Sequence, residues 1–371
     1  MQKHNRIGIL TSGGDCPGLN TVIRSVVSHA TLTYGWEVLG IPYATQGLLE
    51  RKASHLNMHG LDVHGIDPLL SMGGTILGTI NRGDTLTHAD ELNAGYQALE
   101  LDALIAIGGD GSLNILHQLA CQGNWNLVGI PKTIDNDVAL TERAIGFDTA
   151  VNTITDALNR LTYTAASHDR VMIVEVMGRK AGHLALHSGI AGGADCILIP
   201  EIPYSIEAVY QQINELRDRW GRKFAIVVVA EGIKPTQTSS CNNGAGQQPI
   251  CGMGQYIADQ LALYPTNWDI RVSVLGHIQR GGIPSALDRL TATAFGKAAV
   301  DLIAQQNYGQ MVAWQNGQVV NVPLEAVLQQ SPIGVDPHGY LVETARSIGT
   351  YIGDFTAIPN RREEFVEALI H

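Results

Sequence analysis

The sequence predicts an α/β fold of two Rossmann-like lobes with mainly parallel sheets, and three observations carry that reading. Short apolar runs rich in Val, Ile and Leu alternate with longer amphipathic stretches. The runs are mostly free of charge, as expected of strands covered by helices on both faces. Several of them end in glycine-rich or polar clusters, the place where doubly wound sheets hold ligands, at the carboxyl ends of their strands.

Taken in order, RIGIL (6–10) is the first expected strand and runs into TSGGDCPGLN (11–20), followed by a helix-like stretch. Gly13 and Gly14 let backbone amides approach a phosphate closely, with a helix N-terminus beyond. The loop is neither a Walker loop nor a GxGxxG fingerprint, and alone it does not distinguish a phosphate cradle from a plain turn. EVLGI (37–41) is the next strand, and ALIAI (103–107) leads into GGDGS (108–112). There Asp110 joins the glycines, and a carboxylate in that place can hold Mg²⁺ bridging phosphate oxygens. A single loop of this kind reads as a turn; two in one sheet favour a nucleotide.

NLVGI (126–130) precedes PKTIDND, which supplies Lys132, Asp135 and Asp137. Phosphoryl transfer to a hydroxyl needs a carboxylate to accept the proton, close to a metal and to cations that neutralise developing charge. A lone Asp-Asn-Asp is more often a solvated turn, so its neighbours decide. VMIVEV (171–176), CILIP (196–200), FAIVVVA (224–230) and RVSVL (271–275) complete the expected strands. Around them stand Arg170, Arg179, Arg271 and Arg280, in HDRVM, MGRKAG, DIRVS and HIQRGG, with His277 beside the last. Each arginine alone reads as a surface ion pair. Together, at strand ends in an acidic protein, they suit a small anionic substrate, because the guanidinium fork matches phosphate oxygens.

Bulk composition sets the limits. The 371 residues suit two domains sharing a cleft, and 45% apolar against 16% charged residues argue for a large core. A net charge of −11 argues against nonspecific nucleic-acid binding. No apolar run spans a bilayer, and MQKHNRIGIL leads directly into a strand, so neither a membrane span nor a signal peptide is expected. The five cysteines (Cys16, Cys121, Cys196, Cys241, Cys251) form no Cys-x-x-Cys pair and suggest a reduced, cytoplasmic enzyme. Residues 234–251, rich in Gly, Pro and Ser, read as a surface loop.

The motifs SGGDCPG, GGDGS, PKTIDND, MGRKAG and LGHIQRGG, in this order, resemble those of 6-phosphofructokinases from about Arg6 to about Arg289. The resemblance implies the phosphofructokinase fold and a cytoplasmic, allosteric homotetramer of glycolysis with active sites shared between subunits. It implies transfer of a phosphoryl group from ATP, with Mg²⁺, to the 1-hydroxyl of fructose 6-phosphate. Asp135 would be the base, with Arg179 also catalytic, and Asp110 would bind the metal. Gly13, Gly14, Arg82, Gly109, Asp110, Gly111, Ser112 and Lys132 would line the donor. Thr133, Met177, Gly178 and Arg179 would contact the sugar phosphate, with Glu231 on its hydroxyls. His277 and Arg280 would hold the 6-phosphate, joined by Arg170 and Arg271 from a neighbouring subunit. The implied lobes are a donor lobe of 1–146 plus 279–330 and a sugar lobe of 147–278, with 331–371 packing on the sugar lobe.

Two departures from the family pattern bear on function. Asn81 stands where many bacterial ATP enzymes carry a donor-phosphate arginine, with Arg82 one residue on. In the allosteric pocket, Arg24, Lys52 and Arg222 match basic positions while Ser28 and Thr162 replace arginines, so a nucleoside diphosphate effector is expected to bind poorly. The donor itself turns on two positions. ATP enzymes typically carry Gly in GGDG and Gly in PGTIDND, and pyrophosphate enzymes carry GGDD and PKTIDND; Gly111 with Lys132 is a mixed signature. An aspartate at 111 would set a carboxylate beside the nucleotide's α-phosphate. Two like charges about 4 Å apart at an effective dielectric near 20 repel by roughly 4 kcal/mol. Glycine leaves that path open, so ATP is the expected donor and pyrophosphate the alternative. A catalytically dead regulatory subunit is disfavoured, since base, metal carboxylate and arginines are all present.

Overall fold

The computed structural model describes residues 5–58, 68–80, 86–236 and 252–353. Asn81, Arg82, Cys241, Cys251 and all but the first three residues of the expected surface loop lie outside them. The strands, in chain order, are β1 (Arg6–Thr11), β2 (Glu37–Gly40), β3 (Ser54–Leu56), β4 (Ala103–Gly108), β5 (Leu127–Pro131), β6 (Arg170–Val176), β7 (Cys196–Leu198), β8 (Ala225–Ala230), β9 (Asp269–Val274), β10 (Gln310–Gln315) and β11 (Gln318–Pro323). They form a seven-stranded sheet in the order β11-β10-β5-β4-β1-β2-β3 and a four-stranded sheet in the order β7-β8-β6-β9. Pairing is parallel throughout except at the two edges of the larger sheet, where β3 and β11 run antiparallel to their neighbours.

The charge-free runs become buried strands, as their composition requires: every residue of β4 and β8 is buried. β9 departs from that expectation. It is the edge of the smaller sheet, begins two residues before RVSVL at Asp269, and leaves Arg271 and Val274 exposed. β10 and β11 were not among the expected strands. They form a hairpin around Asn316-Gly317, both at positive φ (50° and 77°), the conformation that a two-residue Asn-Gly hairpin turn favours.

Strand order places the loops. From β1 the chain moves outward to β2 and β3, then returns to the other side of β1 as β4 and β5. The carboxyl ends of β1 and β4 therefore meet at a switch point, where the outgoing connections diverge and leave a crevice. Loop 11–18 and GGDGS lie side by side there. In the smaller sheet β6 sits between β8 and β9, which gathers MGRKAG, Glu231 and HIQRGG at one end.

The two halves are fastened by polar knots. Asp288, buried at the start of the helix Ala286–Ala304, accepts from the amides of Gly146 (2.9 Å) and Thr149 (2.8 Å) and from the Thr149 hydroxyl. It thereby satisfies amides at the N-terminus of the helix Phe147–His168, which lack partners within their own helix. Ser285 caps the helix that carries Asp288, and its own amide donates to Thr149 Oγ1 (2.9 Å). No helix among the described residues is long and apolar enough to cross a membrane.

Candidate active site

The larger sheet contributes a cradle for an anion. β4 ends at Gly108, Gly109 is the N-cap, and Asp110, Gly111 and Ser112 form the first turn of the helix Asp110–Gly123. What reads in sequence as a Gly-Asp-Gly turn is thus a helix N-terminus, with free amides and the positive end of the dipole facing the crevice. A Cβ on Gly13 would lie 2.8 Å from Ser112 Oγ and 3.3 Å from Lys132 Nζ, and its φ is +83°. Glycine is required there, and the same contacts show the two glycine loops and Lys132 in one place. A Cβ at Gly111, by contrast, would meet nothing within 4 Å, so this position opens onto the crevice.

Lys132 is buried and donates to the Gly14 carbonyl. Burial lowers its pKa, Arg280 lowers it further, and Cys16, Asp15 and Asp135 oppose the shift. Cys16 is itself fully buried, with its thiol pushed up to about 12 by desolvation, so it is a packing residue and no nucleophile.

Beyond β5 the chain crosses toward the second sheet. Lys132 bridges to Ile145, and the Asp135 amide donates to Thr133 Oγ1 (3.0 Å). Asp135 faces Asp137, Arg280, Glu231 and Asp110. Desolvation first, and the neighbouring carboxylates next, raise its pKa to about 6 against the opposing pull of Arg280. Asp137 is raised as well, by burial and then by Asp110. A carboxyl poised near neutrality beside a cation and the free amides of a helix N-terminus has the properties of a general base.

The smaller sheet supplies the opposite wall. Gly178, at φ +128°, turns the chain after β6, and a Cβ there would lie 2.7 Å from the Ala181 carbonyl. The exposed Arg179 donates through Nε to Glu231 Oε1 at 3.2 Å, joining the carboxyl ends of β6 and β8. His277 is exposed on the turn Gly276–Arg280. Arg280, expected on the sugar's 6-phosphate, stands at the seam between the lobes: its Nη1 donates to the Asp15 carbonyl (3.2 Å) and lies 2.6 Å from where a Gly14 Cβ would be.

Two expected residues are not brought into this cleft by the same chain. Arg170 is the first residue of β6 and Arg271, on β9, pairs with Met172 of β6, so both lie toward the amino ends of their strands, where they share Asp269 at 2.7 and 2.9 Å. The length of β6, roughly 20 Å at about 3.3 Å per residue, separates Arg170 from Met177. In the expected effector pocket, Arg222 makes a bidentate pair with the buried Asp195, both bonds 2.7 Å. Lys52 pairs with Glu50 at 2.6 Å.

Sequence reasoning singled out neither Gln279 nor Lys180, and gave Asp137 no role of its own. Gln279, fully buried, accepts from the Met177 amide (3.1 Å) and donates to the Gly276 carbonyl (2.9 Å), fixing the sugar-side loops against each other. Its place inside HIQRGG was the available signal. Lys180 reaches across the cleft to within 4.0 Å of Asp110, and Asp137 adds a carboxylate that the sequence presented without a role.

The sequence pattern of the phosphofructokinase family matches residues 6–303. The chain is 74% identical over 354 residues to a protein of Nostoc sp. named ATP-dependent 6-phosphofructokinase 2, covering 95% of this chain and 99% of that one. It is 65% identical to an ATP-dependent 6-phosphofructokinase of Thermosynechococcus vestitus, covering 96% and 95% respectively. Among solved structures it resembles the Pichia pastoris phosphofructokinase in the T-state at 30% identity and a TM-score of 0.78, covering 94% of this chain and 37% of that longer one. A pyrophosphate-dependent phosphofructokinase of Marinobacter aquaeolei shares the fold at 20% identity, with a TM-score of 0.77 over 96% of this chain and 94% of that one. With the five motifs converging on one cleft and a family match covering most of its length, the chain belongs to the phosphofructokinase family.

Proposed function

We propose that this chain is an ATP-dependent enzyme that phosphorylates the 1-hydroxyl of fructose 6-phosphate to give fructose 1,6-bisphosphate. The observation that carries the reading is Asp135, a carboxylate raised to about 6 where the Gly13–Ser112–Lys132 cradle meets Arg179, Glu231 and Arg280. The names of the similar cyanobacterial proteins point the same way.

In this reading the amides of Gly111 and Ser112 and the Gly13–Gly14 loop bind the donor phosphates, as helix N-termini do. Lys132 and Arg179 neutralise charge on the transferred phosphoryl, and Asp135 accepts the proton of the sugar hydroxyl as the new P–O bond forms. Thr133, Met177, Gly178 and Glu231 orient the sugar. His277 and Arg280 take its 6-phosphate, with Arg280 also able to turn toward the donor loop. Mg²⁺ would be held by Asp110, and it would supply charge neutralisation at the donor phosphates. The donor set fits such an ion, which takes one or two carboxylates together with phosphate oxygens and water. Asp110 is half-buried and faces Asp135 and Asp137, and its nearest described cation, Lys180, lies 4.0 Å away.

The lobes are proposed as 1–146 with 279–330 for the donor and 147–278 for the sugar, with the C-terminal segment on the sugar lobe. Strand membership of the two sheets supports this division. We further propose a cytoplasmic homotetramer. The position of Arg170 and Arg271, far from their own chain's cleft, supports sites completed by a neighbour. The deciding experiment is a donor comparison: fructose 6-phosphate and Mg²⁺ with either ATP or pyrophosphate. ATP is expected to support turnover, and turnover with pyrophosphate alone overturns the reading.

A further inference from the structure

The segment after the last hairpin touches both walls of the cleft. Ser331 Oγ accepts from the Ala139 amide (2.8 Å), and the Ile333 amide donates to the Asp137 carbonyl (2.8 Å). Two residues on, the Val335 amide donates to Glu201 Oε1 (2.7 Å). That same oxygen accepts from the Gly182 amide (2.8 Å), the last residue of MGRKAG. A short strap thus ties the loop that bears Asp135 to the loop that bears Arg179, with one carboxylate as the knot.

The knot is closely built. A Cβ on Gly182 would lie 2.8 Å from Glu201 Oε2, and one on Gly334 would lie 3.0 Å from Oε1, so glycines on both sides admit the carboxylate. Glu201 Oε2 is buried and has no hydrogen-bond partner among the described residues. Burying a carboxylate oxygen without a partner costs stability, and an apolar contact would join these segments more cheaply. Such local cost is characteristic of residues retained for function.

We infer that Glu201 is a positioning residue, holding the strap Ser331–Val335 so that the base loop and the sugar-phosphate loop keep one fixed separation. The inference rests on the proposed phosphotransfer reading. Phosphoryl transfer depends on placing the hydroxyl, base and donor in line, and a displacement of about 1 Å can cost on the order of 100-fold in rate. Loosening the strap therefore lowers kcat while leaving the glycine cradle at the ends of β1 and β4 in place. It also admits water to Asp135, whose surroundings are Asp137, Arg280, Glu231, Asp110 and Lys132.

The test uses the full-length protein and the variants Glu201→Ala, Glu201→Gln and Ser331→Ala, with kcat referred to folded protein measured by circular dichroism. Glu201→Ala is expected to lower kcat about 10- to 100-fold, with KM for ATP changed less than about threefold. The acid limb of its pH–rate profile should move below that of wild type. Glu201→Gln, whose carbonyl oxygen can accept both amides, should recover most of the rate and the wild-type limb. If Glu201→Ala does not fold, Ser331→Ala decides: it removes one bond of the strap, and about a threefold or greater loss of kcat with a lowered acid limb is expected. Unchanged kcat and pH profile in the folded variants overturn the inference and leave the contacts a matter of fold alone. Absence of ATP-dependent turnover in wild type would instead overturn the functional reading itself.

Discussion

Three measurements bear on Asp135, the proposed base of the cleft. Asp135→Asn removes the proton acceptor and is expected to lower kcat by about 10²–10⁴-fold while fructose 6-phosphate still binds; steady-state kinetics and a binding isotherm check this. Near-normal kcat would remove Asp135 from its role. The same substitution should stabilise the fold. Because the folded pKa, about 6, lies above the ordinary carboxylate value, the native state holds the proton more tightly than the unfolded chain. Wild-type stability therefore falls as pH rises from about 4 to about 6, and asparagine avoids that loss. A gain of about 1–3 kcal/mol at pH 7, fading below pH 4, is expected from thermal melts across pH. Activity should show the matching limb, with kcat/KM declining below about pH 6 as Asp135 is protonated. Arg222 has the opposite character. Its bidentate pair holds Asp195 against the burial that raises that carboxyl's pKa. Arg222→Ala should therefore cost about 1–3 kcal/mol of stability by leaving a buried acceptor unpaired, with little change in response to added ADP. A large change in ADP response with unaltered stability would restore Arg222 as an effector ligand.

At the scale of elements, the proposed choice of donor belongs to the helix Asp110–Gly123. Gly111 sits in its first turn, where an added Cβ would meet nothing within 4 Å, so in the proposed reading a carboxylate there acts chiefly on the bound donor. Gly111→Asp is expected to fold normally and lose ATP-dependent kcat/KM through charge repulsion at the nucleotide, with any remaining activity appearing with pyrophosphate. Lys132→Gly behaves differently. It deletes a buried tie between β5 and the Gly14 carbonyl, so it should lower the rate with ATP and destabilise the fold without changing the preferred donor. Measuring kcat/KM for both donors in each variant checks the pair, and a donor switch from Lys132→Gly alone would reverse the weight of the two positions. The knot at the start of helix Phe147–His168 is a purely structural counterpart. Asp288→Ala strands two amides and a hydroxyl in a buried place and should cost about 2–4 kcal/mol, read as a lowered denaturation midpoint.

For the whole molecule, the distribution of arginines is the informative fact. Arg179 and Arg280 stand at the cleft, whereas Arg170 and Arg271 lie at the far end of the smaller sheet, fastened to Asp269. β9, which carries Arg271, is an edge strand whose Val274 is exposed, with Ile278 exposed just beyond it. An apolar edge of this kind beside cations suits contact with another copy of the chain. If a neighbour completes each sugar site, mixing Arg271→Ala chains with Asp135→Asn chains, each inactive alone, should restore part of the activity in reassembled hybrids. Hybrids verified by mass that show no recovery would place the two arginines outside catalysis.

Composition and period alone determined the class of this fold, because a strand buried on both faces must be apolar along its whole length and its loops must carry the polar work. The glycine-rich loop marked Gly13, but only the tertiary contacts of Ser112 and Lys132 show why no other residue fits there. The β10–β11 hairpin was legible in principle, since WQNGQVVNV sets an Asn-Gly turn between two short apolar segments. Its strands are less plain in sequence because polar Gln310, Gln315, Gln318 and Asn321 interrupt the apolar runs, as edge and near-edge strands allow. Tertiary structure decided everything that depends on which end of a strand a residue occupies. Arg170 opens β6 and Arg179 follows it, nine positions apart in sequence, yet the strand carries them to opposite ends of the sheet. The same holds for Gln279, Asp288 and Glu201, whose partners lie on distant segments. A polar side chain does not announce in sequence whether water or a buried amide will satisfy it; only packing removes the water and fixes the partner.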